Sequence, residues 1–368
     1  MRRLDTVFLW ITLSLAGVGF FIFISALLGL LAREGGRFGA IAINQGISLV
    51  IGLALLYAAY RIKYTVWNRY AFYVFIASIL AMLLTFLPML GFEHGGARRW
   101  IIVAGLSFQP SELLKFAFVL YLAAWYAMVK HKVVTWTWGV GPLAGLLAVS
   151  GILLGMQPDL GTFIIIGLTG LTMFFVAGGG WKHTVALIGS GIIVLGLAGM
   201  FVPYVQGRLL TFIDPSRDPL GAGYQIQQSL IAVGSGQVFG RGFGQSVQKF
   251  NFLPEPIGDS IFAVFAEEWG FIGSAVLVLL FLAFMLRGYR IAQEAPNTFS
   301  RLVVIGFVTM IVAQSFINIA SMLGVFPLSG DPLVFVSQGG SSLMVALAAA
   351  GVVLNISTYR KRAGSGGI

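Results

Sequence analysis

The chain has 368 residues, of which 58% are hydrophobic and only 10% charged, with a mean hydropathy of +0.92. A soluble domain carries about a quarter charged residues, so the composition excludes a soluble enzyme and implies a polytopic membrane protein, one large bundle over residues 1–368 with no separate soluble domain. The net charge of +10 then reports cytoplasmic loops and anionic lipid rather than nucleic acid, and the absence of cysteine excludes disulfides and thiolate metal sites.

A membrane span needs about 20 apolar residues. In chain order, candidate spans fall near 6–30, 40–60, 70–90, 110–129, 140–156, 162–178, 184–203, 259–286, 302–324 and 341–358. The expected fold is therefore an all-α transmembrane bundle of about ten helices. The first span follows "MRRLD", is too long for a signal h-region and has no small-residue cleavage site behind it, so it reads as a retained helix. Between the seventh and eighth spans lies a loop of residues 203–258, a length uncommon unless the loop has work to do.

The basic residues divide unevenly between the two sides. Arg61, Lys63, Arg69, Lys130, Lys132, Lys182, Arg287, Arg290 and Arg301 sit in short loops, together with Arg2, Arg3, Arg360, Lys361 and Arg362 at the ends. Arg33, Arg37, Arg98, Arg99, Arg208, Arg217, Arg241 and Lys249 occupy the other side. The positive-inside rule makes the first set, and both termini, cytoplasmic. All the motif-like sequence then lies outside: residues 91–112, "QPDLGT" at 157–162, the 203–258 loop, and a re-entrant-looking "VFPLSGDPLVFVSQGGSS" at 325–342. The cytoplasmic loops read as plain connectors, so chemistry is expected at the outer face.

Several residues there have both a bland and a chemical reading. Asp259 follows Pro254, Pro256 and Gly258 and precedes an apolar helix. It suits an N-cap, and a carboxylate at a helix start beside a cavity also suits a general base. Glu267 and Glu268 fall two turns further on, where an ionisable residue inside a span is owed a partner. At about 100° per residue, Glu267 lies roughly 80° around the helix from Asp259 and Glu268 roughly 180°. Glu267 is thus expected on the Asp259 side, either lining a cavity or closing a structural ion pair. Glu112 and Lys115 are three apart at the start of the fourth span, within pairing reach, and Lys115 below the interface implies a polar cavity. Arg98, Arg99 and Trp100 form either an interfacial anchor or a phosphate-reading group. Asp159 stands in the break between two short spans, with a helix cap as its plain role. The string "GSGQVFG" has no strand before it and is no nucleotide loop, and His94, His131 and His183 lie on separate loops and form no metal cluster.

Five stretches occur together and in order: "GARRWI…GLSFQPSELLKFA", "QPDLGT", "YQIQQSLIAVGSGQVFGRGFGQSVQKFNFLPE", "DSIFAVFAEEWGFIG" and "GGSSLMVALAAAGVVLNIS". They resemble the SEDS family of polytopic peptidoglycan polymerases, over nearly the whole chain, and its division-type members more than the elongation-type ones. The resemblance implies a ten-helix glycosyltransferase acting at the outer face of the bacterial cytoplasmic membrane on lipid II, an undecaprenyl-pyrophosphoryl disaccharide-pentapeptide. It implies an essential acid at Asp259, a second acid at Glu267, and substrate-side residues at Arg99, Trp100, Glu112 and Lys115, with Asp159 in the "QPDLGT" break. It also implies a class B penicillin-binding protein and other division proteins as partners. No resident cofactor is called for; a divalent cation, Mg or Mn, is the one cofactor the leaving pyrophosphate invites. The chain departs from the family pattern at Asp331, Val334 and Gln338, where the family has an apolar residue, Pro and Tyr. A lipid II flippase is the rival function, and a non-catalytic scaffold in the division complex a third. A flippase needs polar groups through the full thickness and at the inner mouth, and the inner half here is plain.

Overall fold

A computed structural model describes residues 4–31, 38–87, 91–94, 97–103, 106–219 and 221–360. Of the charges used above for orientation, Arg2, Arg3, Arg33, Arg37, Lys361 and Arg362 lie outside the described residues. Among the described residues nine helices are long and apolar enough to cross a membrane: α1 (Thr6–Leu31), α2 (Phe38–Arg61), α3 (Tyr64–Leu84), α4 (Pro110–Val129), α5 (Gly141–Met156, extended upstream to Trp136 by a π-turn), α7 (Trp181–Phe201), α10 (Ile261–Gln293), α11 (Thr298–Met322) and α12 (Gly340–Ser357). The 17-residue α6 (Leu160–Val176) is the shorter tenth. The hydropathy pattern thus finds each span, with ends displaced by a few residues.

Two regions expected as loops carry structure of their own. Residues 91–108 form a three-stranded antiparallel sheet of β1 (Gly91–His94), β2 (Ala97–Val103) and β3 (Leu106–Phe108). The 203–258 loop contains α8 (Pro203–Ile213) and α9 (Ala222–Ser235), and α9 lies along α10.

Burial ranks the helices. The most hydrophobic 18-residue window of α11 is 83% buried and that of α7 only 11%, so α11 is the centre of the bundle and α7 a lipid-facing outlier. The strongest pairings are α2 with α12, α10 with α11 and α3 with α4. On its buried face α11 carries Gln314, Asn318 and Ser321, at helical spacing on one stripe. Their donors reach Pro332 O (3.0 Å), Asp331 O (2.8 Å) and Pro327 O (2.9 Å). That stripe holds the non-helical 325–339 segment inside the bundle. The segment's tip also lies under α1, where Gly19 is packed against the Phe335 carbonyl.

At the opposite end of the bundle Asp5 joins the two ends of the chain. Its carboxylate pairs with Arg287 (2.8 Å) and Arg360, its amide donates to Ser357 Oγ (3.1 Å), and Arg360 also reaches Glu294 (3.1 Å).

α10 has 33 residues, about 50 Å, against a hydrocarbon core of about 30 Å. It is broken at Gly270 (φ 64, ψ −162). Gly270 lies 17 residues before Arg287, about 26 Å along the axis. The break, and Glu267 and Glu268 just beyond it, therefore stand at the far interface rather than at mid-membrane. The backbone groups freed by the break bond to the loop: Phe271 N to Gln237 O (2.8 Å), Ile272 N to Val238 O (3.1 Å), Arg241 N to Glu267 O (3.0 Å) and Gly242 N to Glu268 O (2.9 Å). A broken helix is tolerated in a membrane protein where neighbours satisfy it in this way. Gly240 (φ 81) is pressed so close to Glu268 O that a Cβ there would overlap it. Gly240→Ala is therefore expected to lose about 2–3 kcal/mol of stability. Gly234→Ala, where nothing stands within 4 Å of the added carbon, should stay near wild type. Thermal melts of the two variants in detergent check this.

Candidate functional site

Asp259 sits in a turn in which Gly258 N (3.0 Å) and Ser260 N (3.2 Å) both donate to Glu255 O. The helix begins after it: Ser260 is the N-cap residue of α10 and makes no side-chain cap. The carboxyl of Asp259 is thus not occupied by capping. Its Oδ1 accepts from Gln225 Nε2 on α9 at 3.1 Å, and the same amide nitrogen lies 2.9 Å from Ser260 Oγ. Asn318 Nδ2 donates to the Asp259 carbonyl at 2.7 Å. Both ends of the residue are held, and the side chain remains half-buried. Burial pushes the carboxyl up to about 6; the Gln225 hydrogen bond opposes this, Glu255 adds to it and Arg208 counters it.

A second group of polar side chains surrounds the 325–339 segment. Arg99 owes its direction to a β-bulge. Trp100 pairs with Phe92 and Arg98 with Glu93, so Arg99 is the extra residue, and a bulge re-aims its side chain. It reaches the α5–α6 break, donating to Gln157 O (2.7 Å) and Pro158 O. Asp159 caps α6, accepting from Thr162 N (3.1 Å) and Thr162 Oγ1 (3.0 Å). Thr162 Oγ1 is also 3.3 Å from Asp331 Oδ1. Lys115 is 1% exposed and bonded to Glu112 (2.9 Å) and to Gln314 Oε1 (2.6 Å). In place of the expected polar cavity, Glu112 and Gln314 supply the polar surroundings of the buried Lys115. Trp100 is half-buried on the sheet beside Arg99.

The sequence reading did not single out Arg208, Tyr204, Gln225 or Asn318. Arg208 on α8 donates to Leu328 O and stacks on Tyr204, 4.6 Å from the ring centroid. Half-buried, it lines an apolar cavity of about 150 Å³ between α6, α7, α8 and residues 326–329. The lining of the cavity includes Arg208 and Gly161 and does not include Asp259.

Glu267 does not share the surroundings of Asp259. Its carboxylate accepts from Ser246 Oγ (2.6 Å), Gln248 N (3.1 Å), Val247 N (3.2 Å) and Ser235 Oγ (3.2 Å), and Arg241 Nε lies 3.4 Å away. Glu268 pairs with the buried Lys249 (2.7 Å) and accepts from Ser25 Oγ (2.5 Å). Lys249 Nζ in turn donates to Ser25 O (3.0 Å). The two acids clamp loop 241–249 to α10 and α1. The helical-wheel expectation for Glu267 assumed a helix running on from Asp259. α10 starts after Asp259, and the 241–249 loop covers the face where Glu267 emerges.

Glu268→Gln leaves the buried Lys249 charge unmatched and is expected to cost about 3–5 kcal/mol. The ion-pair partner of Glu267, Arg241, has a side chain 42% exposed, so water can take over its charge and Glu267→Gln should cost less. Melting temperatures of the two variants give the order.

The comparisons with known proteins agree with this architecture. The family model described as a cell cycle protein of the FtsW/RodA/SpoVE type matches residues 6–362. The chain is 39% identical over 314 residues to stage V sporulation protein E of Bacillus subtilis, covering 84% of this chain and 85% of that protein. It is 38% identical over 320 residues to a probable peptidoglycan glycosyltransferase FtsW of Geobacter sulfurreducens, covering 87% and 86%. Among solved structures it superposes with a TM-score of 0.80, at 28% identity, on a chain from a study of how a peptidoglycan synthase complex coordinates polymerization and crosslinking, covering 98% of this chain and all of that one. Rod shape determining protein RodA of Thermus thermophilus gives a TM-score of 0.71 at 26% identity, covering 98% of each.

Proposed function

The chain belongs to the FtsW/RodA/SpoVE family, the SEDS family that its motifs resemble, and on that footing we propose that it is a peptidoglycan glycosyltransferase that polymerises lipid II with Asp259 as the general base. Its relatives named FtsW support a septal role in cell division. The likeness to a synthase-complex chain supports pairing with a class B penicillin-binding protein that cross-links the strands. The distribution of loop charge supports cytoplasmic termini and a catalytic face outside.

The observation that carries the assignment is the state of Asp259. It is the half-buried acid at this end whose backbone and side chain are both held by neutral amides, Asn318 and Gln225, with no cation bonded to it among the described residues. Such a group is oriented but not neutralised. The acceptor's 4-hydroxyl attacks the anomeric carbon of the donor; the new C–O bond forms as the C–O bond to pyrophosphate breaks. The hydroxyl proton passes to Asp259, and the lipid pyrophosphate leaves as an anion. An acid held near 6 is mostly ionised at neutral pH yet basic enough to take that proton.

For the anion, Arg208 is the best-placed cation, since it is half-buried in the lining of an apolar cavity that suits the first carbons of a lipid chain. Arg99, Trp100, Glu112, Lys115 and Asp159 form the wall behind it: Arg99 and Asp159 bond at the α5–α6 break, Lys115, paired with Glu112, holds the Gln314 that bonds the 325–339 segment, and Trp100 lies beside Arg99. Glu267 acts at one remove, by fixing the loop that covers α10. Among the described residues no three Asp, Glu or His side chains could together hold a metal ion. A divalent cation would accordingly enter with the pyrophosphate rather than be held in a protein cage.

Asp259→Asn is expected to lower lipid II polymerisation about 10²–10⁴-fold, because the amide keeps the shape but accepts no proton. Near-wild-type turnover by this variant would falsify the base assignment. The raised pKa carries a linked sign. The folded protein holds the Asp259 proton up to about 6, while the unfolded chain releases it near the ordinary aspartate value of 3.8. Ionisation of this group therefore costs stability as pH rises through 6. At pH 7 Asp259→Asn should melt above wild type, and near pH 4 the two should coincide. In wild type, turnover should rise with pH through about 6.

A further inference from the structure

Asp331 replaces an apolar residue of the family pattern and lies 5% exposed beside Asp159, also 5% exposed. Between them stands one hydroxyl, that of Thr162, 3.0 Å from Asp159 Oδ2 and 3.3 Å from Asp331 Oδ1. A threonine hydroxyl has one proton and cannot donate to two carboxylates at once. Asp331 Oδ2 is buried with no hydrogen-bond partner among the described residues, pressed into the notch left by Gly161, where a Cβ would overlap it. An ionised Asp331 would thus be a buried anion with no donor of its own, next to a second acid. A protonated Asp331 satisfies the chain: Asp331 O–H donates to Thr162 Oγ1, and Thr162 O–H donates to Asp159.

The backbone of Asp331 leads on to the candidate base. Asn318 Nδ2 bonds both the Asp331 carbonyl (2.8 Å) and the Asp259 carbonyl (2.7 Å). We propose that Asp331 is a positioning residue: as a neutral acid it ties the start of α6 to the amide that holds Asp259, and its ionisation releases that tie and lowers turnover on the alkaline side. The proposal rests on the reading of Asp259 as the base.

The charged groups acting on Asp331 are Asp159 at the start of α6, Glu112 and Lys115 on α4, and Arg208 on α8; Arg99 stands behind Asp159 on the 157–158 carbonyls. α11 and α12 present neutral Gln314, Asn318 and Ser342. Burial first, and Asp159 second, push the Asp331 carboxyl well above the usual carboxylate range, with Lys115 opposing and Glu112 adding to the rise, and Arg208 opposing it.

The test uses the full chain reconstituted in liposomes with lipid II, with its polymerisation rate followed from about pH 5 to about pH 10. Each variant is normalised to its own maximum, so the shape of the profile is read and not its height. Wild type should rise through about 6 and then fall, approaching about tenfold per pH unit on the alkaline side. Asp331→Asn donates a hydrogen bond at every pH, so it should keep the acid limb and stay flat within about twofold on the alkaline side. Infrared spectroscopy gives a readout independent of turnover. Wild type at neutral pH should show a protonated-carboxyl stretch that Asp331→Asn removes and that fades with pH in step with the rate. Should Asp331→Asn fold poorly, Thr162→Val keeps the acid but removes its partner, and should shift that stretch to higher frequency. An alkaline limb unchanged in Asp331→Asn, or no such band at neutral pH, overturns the proposal. An active Asp259→Asn overturns the base assignment instead and leaves the infrared result standing.

Discussion

The bundle is organised by hydrogen-bond donors on a helix that water does not reach. Gln314, Asn318 and Ser321 lie on the buried face of α11, the most enclosed of the spans. Unpaired amides there would be costly, and most carbonyls of a neighbouring helix are already engaged by its own backbone. The acceptors they find are the carbonyls of Pro327, Asp331 and Pro332, in a segment with no helical partners. Each side supplies what the other lacks, so the 325–339 segment is drawn into the bundle. With it come Asp331 against the start of α6 and Gln338, whose amide bonds Ile257 O two residues before Asp259 (2.7 Å). The position of the candidate base is a consequence of how α11 satisfies its polar stripe.

The acids at this end are used in opposite ways. Glu267 and Glu268 are saturated with donors, including a buried lysine and three backbone amides, and they hold a loop against a broken helix. Asp259 has one side-chain donor and an elevated pKa, which suits proton transfer and weakens the fold when the group ionises. The Gly270 break links the two. It interrupts α10 where the helix leaves the hydrocarbon, and the freed backbone groups recruit residues 237–242, which lead directly into the clamp. Stability is concentrated beside the site so that the site itself can stay under-coordinated.

The two ends of the bundle differ for the same reason. At the Asp5 end ion pairs and hydrogen bonds close the chain ends together, with α1, α10 and α12 tied through one carboxylate. At the Asp259 end the helices are joined by a sheet, two amphipathic helices and a buried non-helical segment.

The spans and the family were legible in the sequence, which also offered Asp259 as a candidate acid. A bilayer demands about 20 apolar residues whatever the tertiary contacts, so hydropathy alone locates the helices. Co-linear motifs survive because they are local strings. Pairings across the chain were not legible. Asp331 meets Asp159 through Thr162 across 169 residues, and Asn318 reaches Asp259 across 59. Gln225, Asn318 and Arg208 are ordinary polar residues in sequence, and only packing aims them. The helical wheel could give Glu267 a side of the helix but not its partners, which the 241–249 loop supplies. Arg99 points at the α5–α6 break because of a bulge that depends on how β1 and β2 register. Hydropathy and local strings are properties of the chain itself. The direction and partner of a side chain are set by backbone breaks, bulges and contacts that come into being only when distant segments pack.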